Sequence, residues 1–215
     1  MAKVIGIMGA SESGKTTSMR NLDPSVTFYI DCDKKGLSWK NWKEQYQEEK
    51  HNYFRTDLPS TVLNLLQKIQ DQENMRHIQT IVIDTINGIM VGEEMRNIKV
   101  NGYGKWTDLA SYIYGIVDYA LTMREDLTVI ILCHSETISD DNGYVFTRIK
   151  TNGRKLDKIV LESKLATVLY AVQHDGKYVF KTHADNSTAK TPYGAFEADE
   201  IENDIVKVLE TLQEY

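Results

Sequence analysis

Cysteine, proline and long apolar runs are all scarce in this sequence of 215 residues. The two cysteines, Cys32 and Cys133, form neither a CxxC pair nor a disulfide framework, which predicts a reducing, cytoplasmic compartment. No run approaches the ~20 apolar residues of a membrane span, and the N-terminus lacks the layout of a cleavable signal, so we expect no membrane partner. The net charge of −6 argues against wholesale coating of nucleic acid but permits a local basic site.

Short apolar runs recur along the N-terminal part of the chain, each ending at a glycine or a polar residue. Four of them are typical of buried parallel strands: residues 4–8, 26–30, 78–83 and 128–133. They lead into Gly9, Asp31, Asp84 and His134. Helical spacing and start signals predict helices from about Gly14, after Pro59 with Ser60 as N-cap, over residues 106–123 and over residues 200–212.

The C-terminal part of the chain is richer in strand signals. Residues 143–149 alternate weakly, and residues 167–173 and 177–181 flank Asp175-Gly176, which is a strong hairpin signal. The sequence contains no internal repeat, low-complexity tract or linker. We therefore predict a single α/β domain over residues 1–215, with a mostly parallel central sheet flanked by helices and a C-terminal antiparallel extension.

Residues 9–16 read GASESGKT and fit G-x-x-x-x-G-K-[ST], the P-loop motif, at every fixed position. Backbone N–H groups of such a loop surround phosphate oxygens, and the N-terminus of the predicted helix would add positive charge. Lys15 would reach the β- and γ-phosphates, and the Thr16 hydroxyl would bind Mg²⁺. We expect ATP with Mg²⁺ to be held by Gly9, Ala10, Ser11, Glu12, Ser13, Gly14, Lys15, Thr16 and Thr17.

A second motif, TIVID at residues 80–84, has the Walker B pattern of an apolar strand ending in an acid. Asp84 would hold Mg²⁺ partly through water, opposite Thr16. No glutamate follows Asp84, so a catalytic base must come from elsewhere. Asp31 and Asp33 both leave the second strand, and alternation of side chains predicts that only one of them points into the site.

The order of these motifs resembles the RecA core, and more closely the phage-encoded RecA-like ATP-binding proteins of the Sak-type single-strand annealing group. The resemblance spans nearly the whole chain. Its matching stretches are GKTTSMRNL at residues 14–22, DTINGIM at residues 84–90 and TPYGAF at residues 191–196. It implies a RecA-like P-loop NTPase fold, weak ATP hydrolysis that DNA stimulates, annealing or homologous recombination, and a host-cytoplasm location.

The resemblance also implies residue roles. Asp33 stands where these proteins carry a catalytic glutamate, so Lys15, Asp33, Asp84 and His134 become the candidate catalytic residues. His134 would couple the γ-phosphate to a DNA-binding loop. A homo-oligomeric ring or filament is implied, with nucleotide at the subunit interfaces and Lys181 and Lys190 reaching the neighbour. Single-stranded DNA and a single-strand-binding protein are the implied partners.

DNA contact has two local signals. Residues 148–158 hold five basic residues against one acid, and Arg148, Lys150, Arg154 and Lys155 are the candidates for contacting phosphates. Residues 101–106 form a glycine-containing aromatic stretch in which Tyr103 would stack on bases beside Lys105. Trp106 either stacks on bases in the same way or begins the following helix as a core residue.

Two other functions stay open at the level of sequence. A P-loop small-molecule kinase fits the size and the motif, although the chain shows no arginine-rich lid. An ATP-dependent switch or adaptor with little hydrolysis also fits. The absence of an Asn-Lys-x-Asp sequence argues against a GTPase switch.

Overall fold

The structure is a computed structural model that describes residues 1–153, 156, 158 and 160–215. Its strands in chain order are β1 (Lys3–Gly9), β2 (Thr27–Asp31), β3 (Tyr53–Arg55), β4 (Thr80–Asp84), β5 (Thr128–Ser139), β6 (Val145–Ile149), β7 (Thr167–His174), β8 (Lys177–Lys181) and β9 (Glu200–Glu202). The helices described are α1 (Trp42–Gln45), α2 (Pro59–Asp71), α3 (Ile86–Arg96), α4 (Gly104–Thr122) and α5 (Ile205–Thr211).

These strands form one sheet in the order β3-β2-β4-β5-β1-β7-β8-β9, with β6 paired to β5. Strands β1 to β5 and β7 pair in parallel, whereas β6, β8 and β9 are antiparallel to their neighbours. The predicted parallel sheet with a C-terminal antiparallel extension is therefore confirmed. Because β5 lies between β1 and β4, the P-loop and Asp84 leave the same edge of the sheet one strand apart.

Both faces of the sheet are covered, which explains the near-continuous apolar runs of its strands. Along β4, Ile81 and Ile83 face the core formed with α2, α3 and α4, while Val82 faces the opposite core. That second core contains α5 and a cluster of aromatic residues around the fully buried Tyr29. In the part of the chain that is described, no helix combines the length and apolar character needed to cross a membrane.

The helix predicted from Gly14 is wrong, because the P-loop is followed only by one 3₁₀ turn, Thr17–Met19. The Ser18 hydroxyl donates a hydrogen bond of 2.6 Å to the carbonyl of Lys15 and so competes with regular helical bonding. Pro24 and the start of β2 follow soon after, which leaves no room for a longer helix. The predicted helix dipole behind the phosphate loop is therefore reduced to that of a single turn.

Other predicted boundaries also differ, and three of these differences have a clear physical reason. Helix α2 begins at Pro59, whose fixed φ suits the first helical position, so Ser60 lies inside the helix. Strand β5 continues past His134 to Ser139 because β6 pairs with it. The last helix begins only at Ile205, capped by the Asp204 side chain, because residues 200–202 pair with β8.

Candidate functional site

The P-loop lies between β1 and the 3₁₀ turn and is closely enclosed by its surroundings. A Cβ at Gly9 would lie 2.3 Å from Ser13 Oγ and 2.6 Å from the carbonyl oxygen of Ala171. Gly14 has φ +90°, and a Cβ there would lie 3.0 Å from the ring of Tyr178. Glycine is thus required at both fixed positions of the motif. At Gly9 the reason is lack of space for a side chain, and at Gly14 the positive φ is a second reason.

Lys15 folds back over this loop. Its Nζ donates hydrogen bonds of 2.8 Å and 2.5 Å to the carbonyl oxygens of Gly9 and Ala10. Burial lowers the Lys15 pKa to about 8, while the nearby Asp84 carboxylate acts in the opposite direction. Both hydrogen-bond partners are neutral, so the ammonium charge is available to an anion in the loop.

Thr16 and Asp84 meet at the end of β4, as the two motifs predict. The Thr16 hydroxyl donates a hydrogen bond of 2.8 Å to Asp84 Oδ2, and the hydroxyl of Tyr29 donates one of 2.6 Å to the same oxygen. Burial raises the Asp84 pKa, against the effect of these two hydrogen bonds. Asp84 Oδ1 is buried without a partner among the described residues. An unpaired carboxylate oxygen beside a hydroxyl fits a Mg²⁺ site, because Mg²⁺ binds oxygen ligands.

The structure separates the two candidate bases. Asp31 is buried, and its carboxylate accepts hydrogen bonds from the backbone N–H groups of Lys34 and Gly36, 2.8 Å each, and from the Tyr53 hydroxyl at 2.7 Å. Its oxygens are therefore engaged in fixing the loop that follows β2. This arrangement favours a structural role for Asp31.

Asp33 instead lies at the surface of the site. Its Oδ1 accepts a hydrogen bond of 2.9 Å from the Thr85 hydroxyl, and its Oδ2 forms an ion pair of 2.7 Å with Lys35 Nζ. Asp33 is thus held next to the residue that follows Asp84. Lys35 was not among the residues singled out from the sequence, although its position two residues after Asp33 was a local signal.

His134 pairs with Gly9 in the register of β1 and β5, which places it beside the P-loop. Its backbone N–H donates a hydrogen bond of 2.7 Å to Asn87 Oδ1. Burial lowers the pKa of the imidazole, and the positive charge of Lys15 adds to this effect. At neutral pH the ring is therefore uncharged and able to accept as well as donate a hydrogen bond.

Two cavities open at this edge of the sheet. One, of about 450 Å³, lies over the P-loop and is lined by residues 11–17 together with Ser38 and Tyr178. The other, of about 790 Å³, lies against α3 and is lined by Asp33, Asn87 and Arg96 among others. Lys35 and His134 line both cavities. These two side chains therefore mark the place where the two cavities meet.

The residues predicted to contact DNA are dispersed. Arg148 on β6 forms an ion pair of 3.0 Å with Glu136, and Lys150 is exposed. Tyr103 is 90% exposed just before α4. Lys105 Nζ lies 5.6 Å above the Trp106 ring, which packs against the core. Two further predictions, Arg154 and Lys155, lie outside the described residues.

The two lysines expected to reach a neighbouring subunit lie on the β7 side of β1. Lys181 ends β8 with its Nζ 3.5 Å from Asp185 Oδ2. Lys190 is half-buried, and its backbone exchanges two hydrogen bonds of 2.8 Å with Val168 on β7. The structure thus places both lysines in the antiparallel extension, away from β4.

Besides Lys35, two further site residues were missed because their partners are distant in sequence. Tyr29 lies inside an apolar strand, where the need of a buried hydroxyl for a partner was the available signal. Asn87 bonds to His134 and Lys150, which only the order of the strands brings near.

A P-loop after β1, a buried acid ending β4 and an intervening parallel strand define an α/β P-loop NTPase. A family model described as AAA domain (AAA_24) matches residues 1–193, and the chain belongs to this family. A search of curated proteins found no match. Membership implies nucleotide binding, typically with Mg²⁺.

Proposed function

We propose that this protein is a RecA-like ATPase that binds single-stranded DNA and promotes annealing or homologous recombination with weak ATP hydrolysis. One observation carries the proposal. His134, which lines the nucleotide cavity, lies at the base of the β5–β6 hairpin, where its carbonyl accepts a hydrogen bond of 2.8 Å from the Lys150 N–H. The hairpin therefore begins at the phosphate site and extends from it.

The nucleotide half of the proposal uses the residues around the P-loop. Lys15 would bind the β- and γ-phosphate oxygens in place of its two carbonyl partners. Asp33 would orient a water whose oxygen attacks the γ-phosphorus in line. The bond from phosphorus to the β–γ bridging oxygen breaks, ADP leaves, and Asp33 takes the proton of the water.

Thr16 and Asp84 Oδ1 would hold Mg²⁺, which would neutralise charge on the phosphate oxygens. Asp33 carries a shorter side chain than glutamate and is engaged by Lys35. The shorter side chain is consistent with slow hydrolysis.

The DNA half of the proposal uses one face of the hairpin. Side chains alternate across a strand, so Phe146 and Arg148 share one face of β6, and Tyr144 and Lys150 flank the strand at its two ends. The rings of Tyr144 and Phe146 stack with centroids 6.1 Å apart and an angle of 21° between their planes. Tyr144 is 54% exposed, which leaves its ring available to a base. Aromatic rings stack on bases and cationic side chains neutralise phosphates, so this face offers both contacts that single strands need.

The test combines three measurements on the purified protein: binding of a fluorescent oligonucleotide at low and raised salt, annealing of complementary strands, and ATP hydrolysis with and without DNA. We expect binding that weakens as salt rises, annealing, and stimulated hydrolysis. No binding at low salt together with no annealing would refute the proposal.

A matched pair of variants locates the DNA site. Replacing both Tyr144 and Phe146 by alanine removes the stacked rings and is expected to weaken single-strand binding about 10-fold or more, at about 1–3 kcal/mol per stacked base. Val145→Ala serves as the control, because Val145 is 52% exposed on the opposite face of the same strand. Equal losses in the two proteins would contradict the assignment of this face.

Assembly into a ring or filament belongs to the same proposal. Lys181 and Lys190 would then reach the nucleotide of a neighbouring subunit. Sedimentation with and without ATP measures the assembly. Mixing Lys15→Ala subunits with subunits that carry both Lys181→Ala and Lys190→Ala tests whether these two lysines act on the nucleotide of the neighbouring subunit. Recovery of hydrolysis in the mixture is the expected result.

The second cavity favours one alternative, phosphoryl transfer to a small acceptor. It measures about 790 Å³ and shares Lys35 and His134 with the nucleotide cavity. Labelled γ-phosphate distinguishes the two functions, because it appears as inorganic phosphate after hydrolysis and on the acceptor after transfer. Tight ATP binding with neither product, together with a stable protein partner, would instead indicate a switch.

A further inference from the structure

Lys35 lies at the boundary of the two cavities and faces groups of both charges. Its Nζ pairs with Asp33 Oδ2 at 2.7 Å, and its side chain remains 53% exposed. It lines the same cavity as Lys15, Thr16 and His134. Its positive charge contributes to lowering the pKa of Lys15 and of His134, so Lys35 is within electrostatic reach of the P-loop.

The backbone around Lys35 is fixed, whereas its side chain is half exposed and held by one ion pair. The carboxylate of Asp31 accepts the N–H groups on both sides of Lys35, those of Lys34 and Gly36. Both flanking residues have positive φ, +59° and +79°, so the loop is tightly curved. A buried carboxylate thus sets where the Lys35 side chain begins, while its four-carbon stem allows the ammonium group to exchange partners.

We propose that Lys35 is a further substrate-contacting residue that exchanges Asp33 for the γ-phosphate when a nucleoside triphosphate binds. Without nucleotide, the ion pair with Lys35 occupies Asp33. With a triphosphate, the more highly charged γ-phosphate takes the ammonium group, and Asp33 Oδ2 becomes available to the attacking water. A diphosphate lacks the γ-phosphate, so the pair stays closed. The inference rests on the nucleotide half of the proposed function and is independent of DNA.

Asp33 and the γ-phosphate compete for the Lys35 ammonium group. Substitutions of Lys35 and of Asp33 are therefore expected to change triphosphate affinity in opposite directions. Lys35→Met removes a charge-assisted contact to the γ-phosphate and is expected to weaken triphosphate binding about 10-fold or more, with diphosphate binding unchanged. Asp33→Asn removes the competing anion and is expected to strengthen triphosphate binding several-fold while hydrolysis falls. In the protein that carries both Lys35→Met and Asp33→Asn, the gain in triphosphate affinity is expected to disappear, because the Lys35 ammonium group is absent.

Calorimetry with Mg²⁺ and either a non-hydrolysable ATP analogue or ADP tests this on the full chain. Lys34→Met is the matched control, because Lys34 pairs with Asp57 at 2.7 Å rather than with Asp33. Thermal unfolding of each variant checks the fold.

Each outcome bears on the inference. Triphosphate-specific loss in Lys35→Met, with opposite behaviour of Asp33→Asn, supports it. Equal loss for both nucleotides, no loss, or weaker triphosphate binding in Asp33→Asn overturns it while the nucleotide site stands. A wild-type protein that binds neither nucleotide overturns both. Failure to bind DNA, with the expected nucleotide pattern, removes the recombination proposal alone.

Discussion

The side-chain amide of Asn87 receives the backbone N–H of His134 in a hydrogen bond of 2.7 Å. Its Nδ2 donates in turn to the carbonyl of Lys150, at 2.9 Å. Asn87 is buried at the start of α3, three residues after Asp84, so this one side chain joins the end of the Walker B strand to β5 and to the residue that follows β6. A movement of Asp84 or His134 would therefore be transmitted to the β5–β6 hairpin through the hydrogen bonds of Asn87.

Asn87→Ala tests this connection. It removes two partly buried hydrogen bonds, to the His134 N–H and the Lys150 carbonyl, at about 0.5–1.5 kcal/mol each, so we expect a loss of about 1–3 kcal/mol in the free energy of unfolding. We also expect DNA to lose its effect on ATP hydrolysis, while nucleotide affinity changes less than about 3-fold, since the Asn87 side chain bonds to His134 and Lys150 and not to residues 9–17. Asn97→Ala is the control, because the hydrogen bonds of its side chain go to Glu93 within α3, and alanine keeps its backbone carbonyl. Retained DNA stimulation would show that the coupling takes another route.

Asp31 and Asp33 are expected to respond oppositely to the same substitution. Asp31→Asn turns an N–H donor toward backbone N–H groups and should cost about 1–3 kcal/mol of stability. Asp33→Asn keeps the acceptor for Thr85 and should alter stability by less than about 1 kcal/mol, while lowering kcat about 100-fold. Chemical denaturation and steady-state kinetics measure both. Normal turnover in the Asp33 variant would exclude it as the base.

Gly9→Ala should disrupt the P-loop, since the added methyl group meets Ser13 Oγ and the Ala171 carbonyl. We expect about 1–3 kcal/mol of destabilisation and loss of nucleotide binding. Adding Ser13→Ala should restore little, because the backbone carbonyl remains. Gly115→Ala in α4 is the control: its Cβ meets nothing within 4 Å, and alanine should stabilise that helix by about 0.5–1 kcal/mol.

Nucleotide affinity should fall as the pH rises through about 8, the Lys15 pKa in the nucleotide-free protein. Phosphate binds the protonated amine and raises its pKa, so the loss should approach about tenfold per pH unit above 8. The Lys15 contribution to the stability of the free protein should rise over the same range, because the unfolded chain binds that proton more tightly than the folded chain. Calorimetry across pH measures the affinity, and a flat profile in wild type would contradict this assignment. Lys15→Arg stays charged and should remove the dependence.

The strands of the central sheet were predictable because burial on both faces leaves an uninterrupted apolar run, as in β4 and the first part of β5. The β7–β8 hairpin was equally clear, since Asp175 and Gly176 adopt the positive φ values, 50° and 75°, that their residue types permit. Helix α3 was missed. Val91 and Met95 are apolar yet about half exposed, so the helix lacks the polar face that gives a recognisable period.

The site residues also fall into two groups, those that a local motif predicts and those that depend on contacts made by the fold. The P-loop is a local motif whose spacing alone fixes its shape, and its contact with Asp84 follows from parallel strands ending at one edge. A preference for Asp33 over Asp31 as the base depends on which carboxylate accepts backbone N–H groups, and the path of residues 34–36 determines that contact. Asn87 contacts a residue 47 positions away, and no local pattern encodes such a contact.

The antiparallel extension has a practical bearing on how the protein can be shortened. The family match ends at residue 193, yet the Asn203 carbonyl accepts a hydrogen bond of 2.9 Å from Arg20, and the Asp204 carboxylate accepts one of 2.6 Å from Asn21. Ile205, Val208 and Leu212 complete the core beneath β1. A truncation at residue 193 would remove these hydrogen bonds and core side chains, which pack behind the P-loop. Shortened forms of the protein made for expression or by proteolysis therefore need to retain residues up to Leu212.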